Sequence, residues 1–292
     1  MRKQFVKSLQ DILYSDEKTA LLLGDIGVFG FRNEIKNISN RVYNIGILEQ
    51  STISLAAGLS KMGIVPFIHT IAPFMVERAL EQIKIDFGYQ ELKGNFISIG
   101  ASYDYSSLGC THHCCGDIQI LSSIPNMQIV VPGTSAEFDC LIKQTYNNNF
   151  PTYFRLSEFE NKKSYNFEFG KAKVIKKGKL ATIVCFGNIL DSVLDSCSEL
   201  DVTILYYNTV FPFDSETLVD NFNKNIIVCE PFYEGSINYM ITSAINDKLY
   251  KITNIGIPRV FLKNYGSKYQ HDVNNKIDSI NIKERILKCL KL

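Results

Sequence analysis

The stretch Tyr43-Asn-Ile-Gly-Ile-Leu-Glu49-Gln-Ser-Thr-Ile-Ser-Leu-Ala-Ala-Gly58 decides the fold prediction. An apolar strand runs into a glycine turn, and the carboxylate of Glu49 stands where a helix begins. The small residues Ala56, Ala57 and Gly58 let that helix pack closely against a neighbour. A glutamate at a helix start is common on its own, because the helix dipole favours negative charge there. The stretch therefore predicts a strand, a turn and a helix. It makes Glu49 a candidate functional residue, and other segments of the sequence must support that role.

The same alternation of apolar strands and amphipathic helices extends outward through the first half of the chain. Strands are predicted at Ala20–Leu23, Val42–Ile45, Val65–Ile71, Phe96–Ile99, Gln128–Val131 and Tyr153–Leu156. Helices are predicted at Ser51–Met62, Phe74–Phe87 and Ala136–Thr145. This pattern is typical of parallel-sheet α/β domains.

A polar, lysine-rich segment, Ser157–Lys179, interrupts the pattern and marks a domain boundary. After it, strands are predicted at Leu180–Phe186, Val202–Tyr207, Ile226–Cys229 and Arg259–Leu262. Helices are predicted from Ile189 to Leu200, after Asp214, from Ile237 to Lys248 and near Lys283–Leu290. We therefore expect an α/β protein with two consecutive open, mainly parallel-sheet domains, at residues 1–160 and 161–292.

The composition and net charge of the chain exclude some classes of function. The 292 residues are 46% hydrophobic and 21% charged, which is ordinary globular usage. A formal net charge of +1 gives no field that would draw the chain to nucleic acid or to anionic lipid. With neither a signal-peptide pattern nor an apolar run of membrane-spanning length, we expect a cytoplasmic protein without nucleic-acid or membrane partners.

The eight cysteines raise the question of a disulfide framework or a zinc site. Most lie in apolar, strand-like runs, where a free thiol behaves as a small hydrophobe. The tight cluster Cys110-Thr-His-His-Cys-Cys-Gly-Asp117 lacks the second, distant ligand pair that structural zinc sites use. We therefore expect no disulfide framework and assign no metal ligands.

Two further segments place reactive side chains beside strand ends, where open α/β sheets bind ligands. His69-Thr-Ile-Ala-Pro-Phe74-Met-Val-Glu-Arg78-Ala-Leu-Glu-Gln82 places an aromatic ring at a strand-to-helix crossing. Gly109-Cys-Thr-His112-His113-Cys-Cys-Gly116-Asp117 places two imidazoles in a loop after the strand that ends near Gly100. Each alone has an ordinary interpretation, as core or surface, so it is their order and spacing that carry information.

Together these residues resemble a known family. Gly46-Ile-Leu-Glu49-Gln50, Phe74 with Arg78 and Gln82, Thr111-His112-His113 with Asp117, and Ile124-Pro-Asn-Met-Gln-Ile-Val-Val-Pro132 look like the thiamine-diphosphate enzymes of the transketolase and deoxyxylulose-phosphate synthase group. The stretches Ala181-Thr-Ile-Val-Cys-Phe-Gly187, Asn208-Thr-Val-Phe-Pro-Phe-Asp214 and Val228-Cys-Glu230 are similar to the C-terminal domain of that family. The resemblance covers the whole chain and implies a pyrimidine-binding domain followed by a transketolase C-terminal-like domain.

The resemblance implies roles for particular residues. Glu49 would hydrogen-bond the aminopyrimidine ring of thiamine diphosphate, Phe74 would stack on that ring, and His112 would face the substrate. Glu49 and His112 are the candidate catalytic residues, and Gln50, Phe74 and Arg78 join Glu49 as candidate cofactor-binding residues. Weaker candidates for the substrate are His69, His113, Asp117, Arg155 and Glu158.

One motif of the family is missing. These enzymes hold the diphosphate and Mg²⁺ with a Gly-Asp-Gly sequence on a separate domain, whereas the nearest approaches here are Gly24-Asp25-Ile26 and Gly116-Asp117-Ile118. We therefore expect a partner subunit that supplies the diphosphate and magnesium site, assembled with this chain as α₂β₂. The expected activity is transfer of a two-carbon ketol unit to a sugar acceptor.

The substrate region also departs from the family. Sugar-phosphate enzymes of the group place an arginine after the last strand of this domain, and the chain reads Phe154-Arg155-Leu-Ser-Glu158. Because a carboxylate repels a phosphate dianion, we expect a modified or nucleotide-linked sugar.

Two alternatives remain. A β subunit of a 2-oxo acid dehydrogenase or other acyl-transferring enzyme shares the glutamate but not the Thr-His-His loop. A non-catalytic homologue would have no reason to keep Glu49, Phe74 and His112.

Overall fold

The computed structural model describes residues 1–292 and contains twelve strands. In chain order they are β1 (Thr19–Leu23), β2 (Val42–Asn44), β3 (Val65–Ile71), β4 (Gly94–Ile99), β5 (Gln128–Val130), β6 (Pro151–Arg155), β7 (Lys173–Lys176), β8 (Thr182–Phe186), β9 (Thr203–Tyr207), β10 (Thr209–Phe211), β11 (Asn225–Tyr233) and β12 (Lys251–Ile257).

The helices connect and cover these strands. They are α1 (Arg2–Ser15), α2 (Arg32–Asn37), α3 (Glu49–Lys61), α4 (Ala72–Val76), α5 (Leu80–Gln82), α6 (Asp117–Leu121), α7 (Ser135–Thr145), α8 (Leu190–Ser196), α9 (Ser215–Asp220), α10 (Asn238–Ala244), α11 (Lys268–Asn274) and α12 (Ser279–Leu290). A π-helix spans Ile83–Tyr89, and a 3₁₀ turn spans Gly187–Ile189. No helix combines the length and the apolar character that crossing a membrane requires.

The first sheet has seven strands in the order β10-β5-β6-β4-β3-β1-β2. All neighbours are parallel except β10, which pairs antiparallel with β5 although it comes from the second half of the chain. Every residue of β1, β3, β4 and β6 is buried. Parallel sheets need this cover on both faces, which explains the continuous apolar runs in the sequence.

The second sheet has five strands in the order β12-β11-β8-β9-β7. Only β7 is antiparallel to its neighbour, β9. The expected fold class, two open and mainly parallel α/β sheets, is confirmed.

A buried carboxylate joins the two sheets. Glu137 of α7 accepts a hydrogen bond at Oε1 from the backbone N–H of Tyr165 at 3.0 Å. Its Oε2 accepts from the backbone N–H of Gly133 at 2.9 Å and from the hydroxyl of Tyr206 in β9 at 3.0 Å. Both large clusters of buried apolar side chains also contain residues from each sheet, so apolar packing continues from one half of the chain into the other.

The helix predicted at Phe74–Phe87 is wrong as a single element. Helix α4 ends at Val76, a turn at residues 77–79 follows, and after α5 the chain widens into the π-helix. The backbone N–H of Arg78 bonds to the carbonyl of Pro73, five residues back, at 3.2 Å. Wider turns of this kind re-aim side chains and recur at functional sites.

The strand predicted at Arg259–Leu262 is also wrong. The strand in this region is β12, which ends before Pro258. It is an edge strand that pairs only with β11. Its first four residues are exposed or half-buried, so it lacks the apolar run by which a central strand is recognised. The apolar residues Val260 and Phe261 are instead 55% and 77% exposed.

Candidate active site

Glu49 is the first residue of α3 and follows the turn that leaves β2. Gly46 adopts a φ of +84° in that turn, a conformation that favours glycine. Glu49 is 4% exposed. Its Oε2 lies 2.8 Å from Nη1 of Arg78, and its Oε1 is buried without any hydrogen-bond partner. An unsatisfied buried carboxylate oxygen is costly, so this atom is poised for a donor that the chain itself does not supply.

Arg78 links Glu49 to the aromatic ring of Phe74. The turn that interrupts the predicted helix places its guanidinium 4.3 Å from the centre of the Phe74 ring. This cation–π contact and the ion pair with Glu49 together hold a side chain that is 42% exposed. Glu49, Phe74 and Arg78 therefore form one connected group.

His112 approaches Phe74 from the loop that follows β4. The two ring centres lie 5.4 Å apart at an interplanar angle of 68°. The Nδ1 atom of His112 lies 2.9 Å from Oγ1 of Thr111, which leaves Nε2 for a substrate. Tyr105 contacts the other side of the imidazole with ring centres 6.1 Å apart. The structure thus brings Glu49, Phe74, Arg78 and His112 together.

His69 lies beneath this group in the interior. Its Nδ1 lies 2.8 Å from the carbonyl oxygen of Ile97, and its Nε2 is buried without a partner. Burial lowers the pKa of His69 to about 4, so the imidazole is neutral at physiological pH. A small cavity lies between His69 and Glu49 and is also lined by Gly24, Thr52 and Met75. His69 therefore borders the same cavity as Glu49.

Asp117 and Arg155 form a buried ion pair. Nε of Arg155 donates to Oδ2 of Asp117 at 2.7 Å, and the hydroxyl of Tyr153 donates to the same oxygen at 2.9 Å. A second guanidinium nitrogen of Arg155 donates to the hydroxyl of Ser102 at 2.7 Å. Burial opposes the charged guanidinium, but the Asp117 carboxylate raises the pKa of Arg155 above its ordinary value. The two side chains bind each other, and neither joins the group around Glu49.

The remaining predicted residues lie at the margins. Gln50 is exposed on α3 beside Glu49, and Glu158 is exposed after β6. His113 turns away from His112 and packs against Tyr103 and His271, with ring centres 6.4 and 5.4 Å away.

The loop after β4 also holds two residues that sequence reasoning missed. Tyr105 contacts His112, as described above. Asp104 accepts hydrogen bonds from the hydroxyl of Ser157 and the backbone N–H of Glu158, both at 2.9 Å, and burial raises its pKa to about 6. The one signal in the sequence was their place in a polar segment between Gly100 and Gly109.

The side chains of the cysteine and histidine cluster at residues 110–117 do not point toward a common centre where a metal ion could bind. All eight cysteines are free thiols, and no group of three or more His, Cys, Asp or Glu side chains is arranged to hold a metal ion. Cys114 instead points its thiol at Oε1 of Glu77, 3.7 Å away.

Family models match both halves of the chain. The model described as transketolase, pyrimidine binding domain, matches residues 1–162, and the model described as transketolase, C-terminal domain, matches residues 170–277. The chain belongs to the transketolase family. This confirms the resemblance inferred from the motifs around Glu49, Phe74 and His112.

Relatives of this transketolase-family chain include whole chains of similar length. An "uncharacterized 33.6 kDa protein in fasciation locus" of Rhodococcoides fascians is 33% identical over 97% of this chain and 92% of the relative. A protein of Actinobacillus succinogenes, named as one of the subunits of an apulose-4-phosphate transketolase, is 31% identical over 75% of this chain and 74% of the relative.

A solved structure shares the fold of this family member. A chain described as "split gene transketolase, inactive beta4 tetramer" superposes with a TM-score of 0.87 at 23% identity, covering 100% of this chain and 98% of the other. At that identity the likeness supports the fold alone.

Proposed function

We propose that this chain is the pyrimidine-binding subunit of a two-subunit, thiamine-diphosphate-dependent transketolase that transfers a two-carbon ketol unit to a sugar acceptor. The observation that carries the proposal is the buried Glu49 carboxylate, which has one oxygen bound by Arg78 and the other without a partner. The relative that is named as one of the subunits of a transketolase supports the division into two chains.

The side chains of Glu49 and Phe74 fit the pyrimidine end of thiamine diphosphate. Oε1 of Glu49 can accept a hydrogen bond from a ring N–H, and the ring of Phe74 offers a flat apolar wall beside it. When bound, thiamine diphosphate supplies a nucleophilic carbon and an electron sink. Arg78 holds the Glu49 side chain in place, because its guanidinium is itself fixed against Phe74.

His112 can exchange a proton with the substrate, and the buried residues beneath Glu49 set the polarity of the site. An imidazole at the edge of Phe74 can donate to, or take a proton from, a substrate oxygen through Nε2. The neutral His69 and the apolar residues beneath Glu49 form a surrounding of low polarity, which strengthens a hydrogen bond made to the carboxylate. Glu49 and His112 are thus proposed as the catalytic residues of this chain.

The partner would supply the diphosphate and magnesium site. The face formed by α3, its preceding turn and the π-helix exposes large apolar side chains, namely Ile47, Leu48, Leu55, Met62, Ile85 and Tyr89. Rows of exposed apolar residues of this kind mark protein interfaces. This face borders Glu49 itself, which agrees with an α₂β₂ assembly whose cofactor site is completed by another chain.

We expect the isolated chain to be inactive and to bind thiamine diphosphate with an affinity of order millimolar, because one stacking face and one carboxylate bond are worth only a few kcal/mol. Calorimetry with cofactor and Mg²⁺ measures this. Co-expression with a chain that carries Gly-Asp-Gly is expected to restore micromolar binding and activity in an α₂β₂ complex. Micromolar binding by the isolated chain, or a complex with the mass of a one-to-one heterodimer, contradicts the proposal.

We further propose that the acceptor is a modified or nucleotide-linked sugar rather than a simple terminal sugar phosphate. Glu158 lies close enough to Tyr105 for its charge to add to the effect of burial in raising the pKa of that phenol. Tyr105 in turn contacts His112, so the carboxylate of Glu158 disfavours a phosphate near the reactive imidazole.

Substitution of Glu158 tests this substrate assignment. In the assembled enzyme, Glu158→Arg is expected to raise kcat/KM for ribose 5-phosphate about tenfold, because an arginine adds a bidentate phosphate contact. The control is Glu168→Arg, the same charge change at an exposed linker residue. Equal gains in both variants, or efficient use of ribose 5-phosphate by the wild type, contradict this assignment.

A further inference from the structure

A chain segment from the second half lies across the loop that carries His112. It runs from Pro258 to Gly266, between β12 and α11, and forms neither helix nor strand. Nη2 of Arg259 donates to Oε1 of Gln119 at 2.9 Å, which fixes the start of the segment to the first half of the chain. We call residues 258–266 the crossing segment.

The crossing segment packs directly on the histidine loop. Gly109 adopts a φ of +76°, and a Cβ added there would lie 2.8 Å from the ring of Tyr265. Only glycine therefore permits this close approach. His112 follows three residues further along this loop.

A cavity that is open to solvent lies between the crossing segment and the histidine loop. Its apolar wall is formed by Tyr233, Phe261 and Leu262. Phe261 is 77% exposed, so its ring does not serve the packing of the protein. An exposed aromatic ring at the rim of a cavity offers a stacking face to a ligand.

The rest of the lining carries hydrogen-bonding groups and neither lysine nor arginine. It includes Glu77, Cys110 and His113. His113 is 8% exposed, and its Nε2 has no hydrogen-bond partner. Glu77 is exposed at the rim, where its carboxylate can accept a hydrogen bond, and burial lowers the pKa of His113, which favours the neutral imidazole. A cavity with these walls suits an uncharged ring that carries hydrogen-bonding groups and disfavours a phosphate.

The cavity lies next to the candidate active site. Cys110 and His113 in its lining belong to the loop that carries His112, and Glu77 precedes Arg78, whose guanidinium packs on the ring of Phe74. A molecule whose reactive end meets His112 would therefore extend its far end toward the crossing segment.

We propose that the cavity under the crossing segment binds the uncharged ring at the far end of the acceptor, with Phe261 as its stacking face. The identity of the ligand as an acceptor rests on the proposed function, but the binding itself does not. The ring chemistry is that shared by a nucleobase and a sugar ring.

The test uses the isolated chain and saturation-transfer NMR with three probes: uridine, methyl β-D-glucopyranoside and inorganic phosphate. Uridine or the glucoside is expected to bind, and phosphate is expected neither to bind nor to compete. Phe261→Ala is expected to weaken ring binding about tenfold through the lost stacking face. The matched control, Tyr239→Ala, removes an aromatic side chain that is 79% exposed elsewhere in the second half and is expected to change nothing.

A second variant, His113→Asn, tests the polar residues of the lining. It is expected to weaken ring binding while the thermal midpoint of unfolding stays close to that of the wild type. Absence of binding by both rings, equal binding by Phe261→Ala and wild type, or displacement of the ring by phosphate overturns the inference. Binding by the isolated chain supports the cavity whether or not the assembled enzyme transfers a ketol unit, so the two proposals fail separately.

Discussion

Glu49→Gln is expected to lower kcat of the assembled enzyme about 10³-fold while leaving the fold intact. An amide keeps the size of the side chain but lacks the negative charge that, in the proposed function, would stabilise positive charge on the pyrimidine ring. The loss of the ion pair with Arg78 costs little stability, because the guanidinium is 42% exposed and solvent compensates for its missing partner. Activity and folding should therefore separate in this variant.

Steady-state kinetics with saturating cofactor, together with thermal unfolding, measure the two effects. Glu81→Gln makes the same chemical change at an exposed residue of α5 and is expected to retain wild-type turnover. Near-full activity of Glu49→Gln would show that the mechanistic assignment is wrong. A fall in kcat matched by a large fall in the unfolding midpoint would instead assign Glu49 a structural role.

Arg155→Met is expected to lower the free energy of unfolding by about 3 to 5 kcal/mol, because it leaves the Asp117 carboxylate charged and buried without its counter-ion. Asp117 is fully buried, its Oδ1 already lacks a partner, and its Oδ2 would keep only the hydroxyl of Tyr153. The predicted substrate role of Arg155 leads to the opposite expectation, namely a loss of kcat/KM with unchanged stability.

Denaturant unfolding with a rescue variant separates these expectations. The double variant Arg155→Met with Asp117→Asn is expected to recover much of the lost stability, since the amide removes the unpaired charge. Arg285→Met serves as control, because its ion pair with Glu234 at 3.1 Å is only partly buried and is expected to be worth less than about 1 kcal/mol. If Arg155→Met unfolds at the same denaturant concentration as this control, the buried pair is not a major source of stability.

Sequence patterns predicted the elements that carry Glu49 and lead to Phe74. Strand β3 has the predicted bounds Val65–Ile71, and a helix begins beside Glu49 as expected. Both rest on strong local signals: an apolar run that is buried on both faces and a glycine turn before a carboxylate. The grouping of Glu49, Phe74 and His112 followed from family motifs rather than from periodicity.

The other features depend on contacts that local patterns do not contain. Asp117 and Arg155 are 38 residues apart, and only the parallel pairing of β4 with β6 brings Arg155 beneath the histidine loop. The interruption of the helix at residues 77–79 lets Arg78 contact Glu49 and Phe74, and helical periodicity cannot reveal it. The crossing segment resembled a strand because Val260 and Phe261 are apolar, although both are exposed.

The pairing of β10 with β5 bears on how the protein can be dissected. Thr209–Phe211 completes the first sheet, although it lies about 50 residues beyond the boundary that we propose near residue 160. A fragment that stops at this boundary would uncover the backbone N–H and C=O groups of β5, and such an open border invites pairing with other chains and aggregation. We therefore expect the first half not to fold as an autonomous unit, and domain exchange with a relative should carry residues 209–211 along with the donor's first half.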